Sequence, residues 1–218
     1  MSARGFLDHL LRTAQSGLEA GGLAERDGQG RLRATGLGKG AMLGGAAALL
    51  LGNRRVRRVG GLAALGFLAY QAYGSWQRDR AGSAAAAEPQ TVDRLPEPEQ
   101  ERHSRVLLAA IVAAAKADGH IDDRERGLIE EGLGKLAEGE GLRDWLRAEL
   151  AKPLDPAAIA ALADTPELRA EVYLASLLTA SDQSFMEKSY LAELARLMNL
   201  EEGLKLRLEQ QARDGLAP

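Results

Sequence analysis

Apolar residues of the chain recur at two spacings. Phe6, Leu7, Leu10, Leu11 and Leu18 follow helical periodicity and predict a short amphipathic helix over residues 1–20. Gly40–Gly52 (GAMLGGAAALLLG) is instead apolar for 13 residues without a break. Asn53-Arg54-Arg55-Val56-Arg57-Arg58 interrupts that run, and Val59–Tyr73 resumes it. From about Glu99 helical periodicity returns and holds to residue 214. Val106–Ala115 is apolar nearly all round, the mark of a buried helix. Ile121, Leu128, Ile129, Leu133 and Leu136 form one stripe, as do Leu142, Trp145, Leu146 and Leu150.

Cap residues divide this second half into helices. Asp155-Pro156 and Thr165-Pro166 each place a cap directly before proline, whose fixed φ suits a first helical turn. Ser184-x-x-Glu187 is a capping box that opens Phe185–Met198. Glu201–Arg213 closes the series. The pattern predicts an all-α fold: a bundle of about six to seven helices over 99–214, preceded by a glycine-rich apolar helical region. The chain divides into an amphipathic helix and mobile basic connector (1–39), a membrane-associating hairpin or span (40–80), a linker (81–98) broken by Pro89, Pro96 and Pro98, and the bundle.

A spanning helix needs about 20 apolar residues, with about 17 as a lower limit. With their small-residue flanks, 36–52 and 59–76 just reach it. Gly36, Gly40 and Gly44, four apart, suit close helix approach in lipid, and with it homo-oligomer formation. Tyr70, Tyr73 and Trp76 cluster as an interfacial belt would. Two crossings, one crossing by the second run, and a shallow hairpin in one leaflet all satisfy this pattern. A buried soluble hairpin with an Arg-rich turn is the alternative, and much glycine disfavours it.

Charge sharpens the division. Through Pro96 there are 13 Lys and Arg against 7 Asp and Glu, a net of +6; from Glu97 there are 15 against 24, a net of −9. A basic half suits an anionic lipid surface. An acidic half argues against nucleic acid, whose phosphates require Lys and Arg.

With no Cys in the chain, thiolate metal sites and Cys nucleophiles are excluded; the three histidines (His9, His103, His120) are far apart in sequence. No nucleophile–base pair, phosphate loop or closed ligand set is visible, and the expectation is a non-enzyme. One stretch carries candidate chemistry. Asp118-Gly119-x-Ile121-x-x-x-Glu125 matches the second half of an EF-hand loop, but Ala114 and Lys116 stand where its first half needs oxygen ligands. Asp122-x-x-Glu125 reads equally as a capping box. Asp182 and Glu187 form a second acidic turn after an apolar helix. The candidate metal ligands in this stretch are Asp118, Asp122 and Glu125, whose oxygens would take Ca²⁺, Mg²⁺ or Mn²⁺. Otherwise these residues only cap helices.

Lys116-Ala117-Asp118-Gly119-His120-Ile121-Asp122-x-x-Glu125, followed by Phe185-Met186-Glu187-Lys188-Ser189-Tyr190-Leu191-x-x-Leu194-Ala195, resembles the TerB-like helical domain associated with bacterial tellurite resistance. As a whole the chain resembles a bacterial inner-membrane family pairing a glycine-rich N-terminal region with a TerB-like domain. The resemblance implies an all-α bundle, attachment to membrane lipid, a protein partner, and divalent-metal binding at two acidic clusters, with Asp118, Asp122 and Glu125 in the first and Asp182 and Glu187 as further metal ligands in the second. The second turn has Asp182-Gln183 where the first has Asp118-Gly119.

Overall fold

The computed structural model describes residues 2–19, 24–26, 32–34, 62–81, 88–117, 140–180 and 184–214. Among these lie eight helices and one small ribbon. They are α1 (Ala3–Glu19), β1 (Ala24–Arg26), β2 (Leu32–Ala34), α2 (Leu62–Ala81), α3 (Glu97–Ala115), α4 (Glu140–Ala151), α5 (Pro156–Leu162), α6 (Pro166–Thr179), α7 (Phe185–Leu197) and α8 (Glu202–Asp214). The fold is all-α. The ribbon pairs Ala24 with Ala34 and Arg26 with Leu32, antiparallel, where composition alone suggests an unstructured connector.

The centre is the pair α3 and α6, which pack on each other. α3 is buried from Val106 to Ala114, and α6 from Ala170 to Thr179. Their sequences explain this: neither has a polar stripe wide enough to face water. The alanines of α3 (Ala109, Ala110, Ala113, Ala114) leave room for neighbours on several sides. α1 and α2 pack on each other, α1 also on α3, and α2 also on α6 and α8. α7 bridges α5 and α6, and α4 rests on α3.

The helix starts follow the caps read from sequence. Asp155 accepts from the Ala157 and Ala158 N–H groups, at 2.8 and 3.2 Å, and Thr165 from Leu168 N–H at 3.1 Å. α7 ends in a Schellman motif. Asn199 takes φ 50°, the Leu200 N–H donates to Ala195 O, and the Asn199 N–H to Arg196 O.

The apolar run 59–76 becomes most of α2, and protein covers its apolar face. Leu62, Leu65, Ala69, Ala72 and Tyr73 are buried in the common core. Tyr73 and Trp76 meet at 5.4 Å between ring centroids, and the Arg80 guanidinium lies over Trp76. Arg207 of α8 donates to Ser75 and pairs with Asp79, while Arg80 pairs with Glu201. Of the aromatic cluster that reads as a lipid-interface belt, Trp76 thus lies beside Gly203 of α8 and Tyr73 packs on Trp76. Among the described residues no helix is long and apolar enough to cross a membrane. The first apolar run, 40–52, and its Gly36/Gly40/Gly44 series lie outside them.

Residues 88–96 form a strap between α2 and α3. Pro89, Thr91 and Val92 are buried, and the Arg94 guanidinium sits 3.9 Å from the Tyr70 ring centroid. The strap lies close against α2 because residue 66 is glycine: a Cβ there would be 2.5 Å from Asp93 Oδ1.

Candidate functional site

The acidic positions singled out from sequence fall in two places. Asp118, Asp122, Glu125 and Asp182 lie outside the described residues, as does His120. Glu187 is described and buried. Its Oε2 accepts the Ser184 N–H at 3.1 Å, while its own N–H donates to Ser184 Oγ at 3.1 Å. That is the reciprocal capping box, and it commits the carboxylate to the start of α7. Among the described residues no group of three His, Cys, Asp or Glu side chains could hold a metal ion.

The core itself carries an ionisable pair that the sequence reading passed over. One face of α3 presents Gln100, His103 and Ser104 inward, in line with Leu107 and Ile111. Opposite them, α6 presents Glu171 from the middle of an apolar helix. Glu171 Oε2 lies 3.0 Å from His103 Nδ1, with both side chains sealed from solvent. Glu171 Oε1 accepts the Val92 N–H of the strap at 2.6 Å. One carboxylate therefore joins three elements: α3, α6 and the strap.

Burial pushes the Glu171 carboxyl up, helped by the nearby Asp93; His103 and the Val92 N–H oppose this without reversing it. A single proton between Nδ1 and Oε2 completes the hydrogen bond, whichever atom carries it. The pair resembles the base–orienter half of a catalytic triad, but it has no opening to a substrate. Its chemistry is that of a titratable tie inside the fold.

One surface feature adjoins this tie, and a second lies at the far end of α3. The first is a cleft of about 400 Å³ where α1, α2 and the strap meet. There Asp8 Oδ1 accepts the Leu62 N–H at 3.3 Å, capping α2 from α1, and Asp8 Oδ2 pairs with Arg12 at 2.9 Å. Glu101 of α3 caps α1 in turn, accepting the Ala3 and Arg4 N–H groups at 2.8 and 3.0 Å. Burial works to raise the Glu101 carboxyl, but the Arg4 and Ala3 N–H groups, with Arg105, hold it below the usual range. The second is Lys116, whose Nζ reaches the carbonyls of Glu149, Leu150 and Lys152 at the end of α4, at 3.1, 3.5 and 2.9 Å. An ammonium suits the negative end of a helix.

Sequence held a signal for the buried pair. His103, Leu107 and Ile111 share one helical stripe, and Glu171 interrupts a run that is otherwise core. A polar residue at such a position needs a partner inside the protein.

The chain belongs to the family described as "Protein of unknown function (DUF533)", which matches residues 36–212. It is also similar to the "Uncharacterized protein in ampR 5'region" of Yersinia enterocolitica, with 31% identity over 108 residues, half of this chain and 78% of that protein. No solved structure matches.

Proposed function

We propose that this DUF533 member is a non-enzymatic helical adaptor held on one face of the bacterial inner membrane by residues 36–61. One observation carries this reading. α1 and α2, which flank that segment, pack on each other and on the same central pair, joined by the Asp8–Leu62 bond. Chain that leaves and re-enters one folded body makes either no crossing or an even number of crossings. The second apolar run is mostly α2 and is covered by protein, so one 13-residue run remains. Such a length suits a re-entrant or interfacial segment better than a span. Arg54, Arg55, Arg57 and Arg58 would then sit among anionic headgroups, each worth about 1 kcal/mol.

The bundle would present its acidic surface to a protein partner in metal or envelope stress, the setting that the TerB-like resemblance suggests. The capping role of Glu187 supports acidic turns that order helices rather than bind ions.

The chain has no cysteine, so single-cysteine reporters can be placed freely. Ser2→Cys and Gln90→Cys in sealed inner-membrane vesicles should label from the same side with a membrane-impermeant maleimide. Deleting residues 40–52 should release the protein from the membrane at neutral pH. Labelling from opposite sides would refute the one-face attachment, and full retention of the deletion variant would remove residues 40–52 as the anchor.

A further inference from the structure

A cleft between α6, α7 and α8 differs in character from the rest of the acidic half. Its volume is about 240 Å³. The floor is made by Leu177, Leu191 and Ala212, all buried. The rim carries Lys188, Lys205 and Arg213. Three cations around one opening stand out in a half of the chain with net charge −9. Lys205 is partly neutralised by Glu202 at 3.3 Å. Among the described residues neither Lys188 nor Arg213 has an ion-pair partner. Glu209, the one carboxylate on the rim among the described residues, is engaged by the Tyr173 hydroxyl, which donates to its Oε1 at 3.0 Å. That bond fixes the fourth side of the opening and turns the negative group toward α6.

We infer that this cleft binds a small amphiphilic carboxylate, with its anionic group between Lys188 and Arg213 and its apolar body on Leu177 and Leu191. Charge sets the sign of the guest: an ammonium would meet Lys188 and Arg213, which have no ion-pair partner among the described residues. The floor requires an apolar body, because a polar one would leave its groups unpaired there. Size sets the limit. The cleft falls below the roughly 300–1,000 Å³ of ordinary small-molecule sites, so a nucleotide is excluded and a short acyl or aryl chain fits. The arrangement is independent of the membrane reading, since it uses no residue of the N-terminal half.

The test is a titration of the full chain with 3-phenylpropionate, followed by the methyl resonances of Leu177, Leu191 and Ala212. 3-Phenylpropanol and 3-phenylpropylamine serve as neutral and cationic controls. Saturable shifts confined to this cleft are expected with the acid, with at least tenfold weaker binding of both controls. The double variant K188Q/R213Q, changed only at exposed positions, should weaken the acid at least tenfold and leave the alcohol unaffected. Ala192→Trp, on the exposed edge of α7, should close the mouth and abolish the shifts while the fold persists. Absence of shifts with the acid, or equal binding of acid and amine, would overturn the assignment.

Discussion

Glu171 and His103 meet at 3.0 Å in a core where almost every other side chain is apolar, and the same carboxylate holds the strap through Val92. Removing one partner leaves the other buried without compensation. Glu171→Ala is therefore expected to cost about 3–5 kcal/mol. Glu171→Gln retains an acceptor for the Val92 N–H and an amide for His103, and should cost about 1 kcal/mol. Urea unfolding of the two variants distinguishes them; equal losses would mean that Glu171 contributes volume and no bonding.

The raised carboxyl of Glu171 also has a sign in pH. Its ordinary value is 4.5 and the folded value is higher, so the folded state holds the proton more tightly than the unfolded one. Stability from this group is full below the ordinary value and declines as pH rises through it toward the folded value. Wild-type stability minus that of Glu171→Gln, measured from pH 4 to 8, should fall with rising pH. A difference that grows with pH would show that His103 holds the carboxylate ionised.

Gly66 sets how closely the strap lies on α2. A methyl group at this position would meet Asp93 Oδ1 at 2.5 Å, so Gly66→Ala should lose about 1–3 kcal/mol through overpacking. Asp93→Ala removes the obstacle, although it also removes the acceptor of the Thr91 hydroxyl at 2.6 Å. The double variant should then be more stable than the sum of the two single losses. Strict additivity in thermal unfolding would place the strain elsewhere.

The bundle depends on the N-terminal half. A fragment starting at residue 97 lacks α1, α2 and the strap, and with them the cover of α6 and the partners of Arg207 and Glu201. It should bind a hydrophobic dye and unfold with a lower m-value than the full chain. A fragment that unfolds cooperatively and leaves the dye dark would show that α2 is an accessory to the bundle.

Much of the helical order was readable in advance because caps and periodicity are local. Asp155, Thr165 and Ser184 open the helices that their sequence contexts indicate. The placement of α2 was not readable. A glycine-rich apolar face looks the same whether lipid or protein covers it, and its partners in α6 and α8 are remote in sequence. The aromatic run Tyr70, Tyr73 and Trp76 carries the same ambiguity. Of the candidate metal ligands, only Glu187 falls among the described residues, where it forms the capping box its motif indicates. His103 and Glu171 escaped notice because a pairing across 68 positions leaves no local spacing to recognise.

The contact between α2 and α8 also constrains the order of events on the ribosome. The end of α2 emerges about 130 residues before the end of α8. At bacterial and eukaryotic elongation rates that separation lasts roughly 7 to 26 s. During that interval the part of α2 that finally meets α8 lacks its partner, while α6 is completed about 35 residues earlier. The nascent chain thus exposes the apolar face of α2 early and completes its cover only when α8 has been made.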